Sequence, residues 1–289
     1  MTRTRPGEPQ LVWALFALVA LAVLVTYTRL PARDLYAVSG TGFAAGAGRA
    51  LVFLNYPTAL AALGVLAVVA SELSLRERYA AALAAVLCAV VFLPGVVHTN
   101  NLDAQWINAA PALGVATACA LSIGNPQPLG RAPGDLARVA CAAALVLLAL
   151  PWEAAELGIS FGGVPVLGQI FQTNELRHQP GVPGRHPAVH NGFHHGLGGT
   201  LLVISALLLT RLLRPGRMHA VAAGLLALMT AYGLVNIAND AWLEQVVKRG
   251  WTDRAIPSVL YPAANWGWAA IVVLAVVLGA GLRRVLART

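Results

Sequence analysis

The chain has 289 residues, 58% of them hydrophobic and only 11% charged. Soluble domains carry about a quarter charged residues, so an ordinary water-soluble fold is excluded. The net charge of +8 comes mostly from arginines in short connections; no basic stripe interleaved with aromatics accompanies it, which excludes a nucleic-acid binder. The class that fits is an all-α, polytopic membrane protein whose main partner is the lipid bilayer.

Apolar runs close to the ~20 residues that cross a bilayer recur along the chain. Eight transmembrane helices are predicted, over residues 11–27, 50–70, 79–97, 106–123, 136–150, 196–213, 220–238 and 265–282. Arg3 and Arg5 precede the first run as in a signal peptide, but residues 26–31 offer no small-x-small cleavage pattern, so a retained helix is expected. A polar, glycine-rich connection follows at 28–49. Its Ser39-Gly40-Thr41-Gly42 lacks the strand–helix context of a phosphate loop, and no nucleotide or flavin motif occurs elsewhere. Residues 71–78 and 125–135 are short charged or Pro/Gly connections, 99–105 is short and polar, and 239–264 is polar, with Asp240, Glu244 and Lys248. Residues 151–195 form one long connection inside what reads as a single integral-membrane domain, 1–289, without internal repeats. Cys88, Cys119 and Cys141 fall in apolar runs without CxxC spacing and read as small core residues.

Eight spans put both termini on one side. Their side collects twelve basic and four acidic residues, and the other side eight of each. The arginine-rich side is therefore expected to be cytoplasmic, the membrane the plasma membrane, and the 151–195 connection extracytoplasmic.

That connection ends in Val189-His190-Asn191-Gly192-Phe193-His194-His195-Gly196, directly before the sixth run. On a helix His190 and His194, four apart, share a face, a spacing that lets two imidazoles hold one metal ion. His195 would point away, toward a supporting position or solvent. His178 and His186 read as loop residues. The outward ends of neighbouring runs add Glu153 and Glu156, three apart; Asn236 and Asp240, four apart; and His98 with Asp103. The expected ligands are His190, His194, Glu153, His195 and His98 around Zn²⁺ or Fe²⁺. Glu156 and Asp240 are the expected catalytic carboxylates, Glu156 as general base to a metal-activated water or lipid hydroxyl.

Three function classes stand side by side. The first is an outward-facing, metal-dependent enzyme acting on a lipid or isoprenoid-like substrate. The second is a transporter of a neutral or lipidic solute; every predicted span centre lacks ionisable residues, which argues against ion coupling. The third is a non-catalytic membrane subunit, with the histidine stretch a solvated interfacial loop. The residues name no protein partner.

Overall fold

The computed structural model describes residues 4–5, 7–35, 40–93, 96, 103–126, 129–161, 163–171, 176–179 and 182–286, without the side chains of 4–5, 125–126, 176–179, 182–186 and 285–286. The fold is helical: α1 (Glu8–Arg29), α2 (Gly42–Phe53), α3 (Tyr56–Val69), α4 (Leu75–Ala89), α5 (Ala109–Ser122), α6 (Asp135–Glu156), the short α7 (Leu167–Ile170), α8 (His195–Leu209), α9 (His219–Trp242) and α10 (Trp266–Leu286). Two small strand pairs complete it. β1 (Thr4–Arg5) runs parallel to β2 (Asn125–Pro126), and β3 (Leu176–Gln179) pairs antiparallel with β4 (Val182–Pro187).

Among the described residues five helices are long and apolar enough to cross a membrane: α1, α6, α8, α9 and α10, with α8 continuing to Leu212 and α9 to Val247. A sixth is possible if α2 and α3, bent by 45°, count as one broken span. Each of the eight apolar runs overlaps helix in its described residues, but α4 and α5 have only 15 and 14 residues. At 1.5 Å per residue these regular stretches reach roughly 20–23 Å, less than the ~30 Å hydrocarbon core.

Three boundaries differ from expectation for identifiable reasons. The end of the supposed 28–49 connection, from Gly42 on, is helix α2, whose Gly46 lies so close to Thr28 and Leu24 of α1 that a Cβ there would collide with both. The break to α3 falls at Leu54–Asn55, where Pro57 occupies the first turn of the new helix. Helix α6 runs through Pro151 to Glu156 rather than stopping at Leu150. Cys88 is buried as expected, but Cys141 is exposed on α6.

Helices α3, α8 and α9 form the packed centre, with Leu60, Val65, Leu202, Leu226 and Met229 fully buried. Gly199 of α8 and Gly233 of α9 face each other's carbonyls, and a Cβ on either would collide. Such small-residue contacts let membrane helices approach to backbone distance. On α6 and α10, by contrast, Val139, Leu147, Val272 and Val276 point outward, as surfaces facing acyl chains do. At one end of the bundle Arg211, after α8, pairs with Glu8 of α1 at 3.0 Å and Asp135 of α6 at 2.7 Å. That ion cluster pins three helix ends together. His190, His194 and His195 lie at the opposite ends of α8 and α9.

Candidate metal centre

His190 and His194 do not sit on a helix. Helix α8 begins at His195, and His194 is its extended N-cap (φ −105°, ψ 144°). Gly192 between them adopts φ 115°, which L side chains rarely adopt, and a Cβ there would overlap the Tyr27 hydroxyl. The helical-face expectation for 190–194 is thus overturned by a glycine turn. The turn is held by Gly192 N–H donating to the Ala155 carbonyl (2.9 Å), Phe193 N–H donating to the Tyr27 hydroxyl (3.3 Å) and a bridge between Asn191 and Leu35. It nevertheless brings the imidazoles of His190 and His194 into a stack, with centroids 4.4 Å apart and planes 23° apart.

The third member is Glu244. One ligand atom each from His190, His194 and Glu244 lies within 4.8 Å of the others, and all three residues are buried. Glu244 reaches in because α9 does not end where hydropathy falls. The chain continues through a single π-helical turn, Leu243–Val247, the kind of local widening that re-aims side chains at functional sites. Its Oε1 accepts from Lys248 Nζ at 2.5 Å, while its Oε2 has no protein hydrogen-bond partner among the described residues. A group of two imidazoles and one carboxylate could hold a metal ion.

Local bonding prepares His194 for that role. Its Nε2 lies 2.9 Å from the His190 carbonyl; a carbonyl only accepts, so Nε2 carries the proton and Nδ1 keeps the lone pair. Burial holds the imidazole below its ordinary pKa against the raising influence of Asp240, so the ring stays neutral, as a ligand must. A ligand histidine anchored through its other nitrogen is the usual outer support of metal sites.

Asp240, one turn before Glu244, lies beside this group rather than in it. Its Oδ2 accepts from the Gly196 backbone N–H at 2.7 Å and stands 3.8 Å from His194 Nδ1. Its Oδ1 is 3.5 Å from His195 Nδ1. The carboxylate thus meets the positive end of α8 and ties α9 to the histidine turn. His195 donates from Nε2 to Asn239 Oδ1 (3.0 Å), and Asn239 donates onward to the Ile256 and Pro257 carbonyls. His195 is therefore spent on a positioning chain and stays outside the three-residue group.

Glu156, at the end of α6, is 1% exposed, and neither carboxylate oxygen has a protein hydrogen-bond partner among the described residues. Buried Arg49 of α2, stacked over the Tyr27 ring at 5.5 Å, acts electrostatically on both Glu156 and His194. Glu153, one turn earlier, is only partly buried and stands apart from the group. His98 lies outside the described residues. Asn236 donates to the Tyr232 carbonyl at 2.8 Å.

Sequence reasoning missed Glu244, Lys248 and Arg49. Asp240, Glu244 and Lys248 recur at intervals of four, a helical series that extends the seventh run past its apolar end. That signal was available. Nothing local marks Arg49, which is recruited by the packing of α2 on α1.

The chain matches no protein-family model, no curated protein and no solved structure. Its functional reading therefore rests on its own residues.

Proposed function

We propose that this is an outward-facing, metal-dependent membrane enzyme that holds one Zn²⁺ or Fe²⁺ on His190, His194 and Glu244 and acts on a lipid or isoprenoid-like substrate. The observation that carries it is the convergence of three buried ligand atoms within 4.8 Å of one another. Two imidazoles and a carboxylate leave room in a tetrahedral or larger coordination shell for water, the pattern of catalytic rather than closed structural sites. The metal's contribution is to acidify a bound water or substrate hydroxyl and polarise the bond under attack. Asp240 keeps the start of α8 in place through the Gly196 N–H. Glu156, buried and without a protein hydrogen-bond partner, serves as general base. The site sits at the ends of apolar helices, which favours a substrate that partitions into the bilayer.

The same reading takes all eight runs as crossings, α4 and α5 included, with both termini cytoplasmic in the plasma membrane. A single cysteine at Gly184, with the native cysteines replaced, is then labelled by an impermeant maleimide on intact cells; labelling only after lysis inverts the topology.

Metal content is the decisive measurement. Purified wild-type protein should contain about one metal per chain, and His190→Ala/His194→Ala essentially none. Glu156→Gln should keep the metal and lose about 10²–10⁴-fold in turnover of fluorescent phospholipid or polyprenyl phosphate in mixed micelles. A second reading draws on the Lys248 ammonium 2.5 Å from Glu244: the ion pair is then the finished structure, and the protein a metal-free subunit. Wild-type protein without stoichiometric metal supports that reading and removes the first.

A further inference from the structure

The opposite end of the bundle holds a second feature, independent of the metal centre. A cavity of about 660 Å³ opens between α3, α4 and the start of α9, within the roughly 300–1,000 Å³ of small-molecule sites. Its wall is apolar and built from Leu63, Leu66 and Ala67 of α3, Ala82 and Ala85 of α4, and Leu225 of α9. Alanines where leucines would close the gap keep the volume open.

The rim has a different chemistry. Arg78, Arg214, Arg217 and His219 line it, with Glu72 as the one acid. Three guanidiniums against one carboxylate leave a net charge of +2 with the histidine neutral. Arg211, three residues before Arg214, is consumed by Glu8 and Asp135. Arg214 and Arg217 are exposed and make no ion pair among the described residues. The N-terminus of α9, with no side-chain cap, adds its partial positive charge to the same rim.

Apolar walls alone would suit any acyl chain, and arginines alone any anion. Their combination in one cavity selects an amphiphile with a negative head, because guanidinium pairs with phosphate bidentately while the tail fills the alanine-lined interior. Basic pockets between helices at a membrane's charged face hold anionic headgroups in this way. We infer that this cavity is a binding site for an anionic phospholipid, with its phosphate on Arg214, Arg217 and Arg78 and an acyl chain between α3, α4 and α9. Along α9, His219 and Asp240 are separated by roughly 30 Å at 1.5 Å per residue, about one hydrocarbon thickness. The lipid site and the metal centre therefore belong to opposite leaflets.

Native mass spectrometry of the full-length protein with equimolar dioleoyl phosphatidylglycerol and phosphatidylcholine tests this. Wild type should retain phosphatidylglycerol preferentially, and Arg214→Ala/Arg217→Ala should weaken it by more than about tenfold, at roughly fivefold per arginine. Both side chains are exposed and make no ion pair among the described residues, so folding should be unaffected. Ala82→Trp, which fills the cavity, should reduce retention of the same lipid, and Arg76→Ala, exposed near this end but off the rim, should change nothing. Equal retention of both lipids, or unchanged phosphatidylglycerol binding in the double variant, overturns the inference. Binding of inorganic phosphate with no retained phosphatidylglycerol overturns it too, since the arginines would then hold the ion alone.

Discussion

Helices α8 and α9 carry charge at both ends and handle it in opposite ways. At the histidine end Asp240, Glu244 and Lys248 are 1–3% exposed and interlock with His194 and His195. At the arginine end Arg214 and Arg217 stay exposed, and Arg211 is held in a partly buried staple. Burying an ion costs several kcal/mol unless good geometry offsets it. A fold that needed only helix-end pairing could use the arginine-end solution at both ends. The expense at the histidine end is what the proposed metal centre accounts for, and exposed cations over an apolar cavity are what the proposed lipid site accounts for.

The comparison can be broken by substitution, beginning with the largest effect. His190→Ala/His194→Ala removes two of three ligands and should abolish metal binding, measured by elemental mass spectrometry after dialysis. Retained stoichiometric metal would move the centre elsewhere. Glu244→Gln should follow closely, losing metal affinity by more than about 100-fold in a chelator competition, while Glu153→Gln should leave affinity unaltered; the reverse ranking restores the carboxylate first expected from the sequence. Asp240→Asn keeps the shape of the contact with Gly196 but removes the carboxylate charge beside His194 and His195, for an expected loss of about 10–100-fold in metal affinity. Gly192→Ala places a Cβ against the Tyr27 hydroxyl at φ 115°; it should destabilise the fold by about 1–3 kcal/mol and weaken metal binding together, read from thermal melts with and without metal. Smallest of all, Arg211→Ala cuts the staple at the other end and should lower the melting temperature by roughly 2–4 °C without touching metal content. A metal defect in Arg211→Ala would mean that the two ends are not separate devices.

The helical class and the position of each apolar run were legible in the sequence because hydropathy is a local property, summed along the chain without reference to packing. His190 and His194 were legible as a pair through their spacing, although for the wrong reason: a glycine turn, not a helical face, stacks their rings. Glu153 looked equivalent to any other acid at a helix end. What separates it from Glu244 is direction, and direction at Glu244 comes from a π-helical turn that no composition window registers. Arg49 was invisible for a simpler reason, since its approach to Tyr27 and Glu156 depends on how α2 lies on α1.

By itself, the sequence determined that the chain forms helices apolar enough for a membrane, and that His190, His194 and His195 meet the start of one of them. Those outcomes follow from transfer free energies and short-range spacing. Only the tertiary structure decided which carboxylate joins the histidines, that Lys248 shares it, that His195 lies between Asp240 and Asn239, and that alanines on α3 and α4 leave a cavity beneath the exposed Arg214 and Arg217. Each of these depends on side chains far apart in the chain arriving within a few ångströms, which is set by helix packing and by the two backbone irregularities at Gly192 and Leu243–Val247.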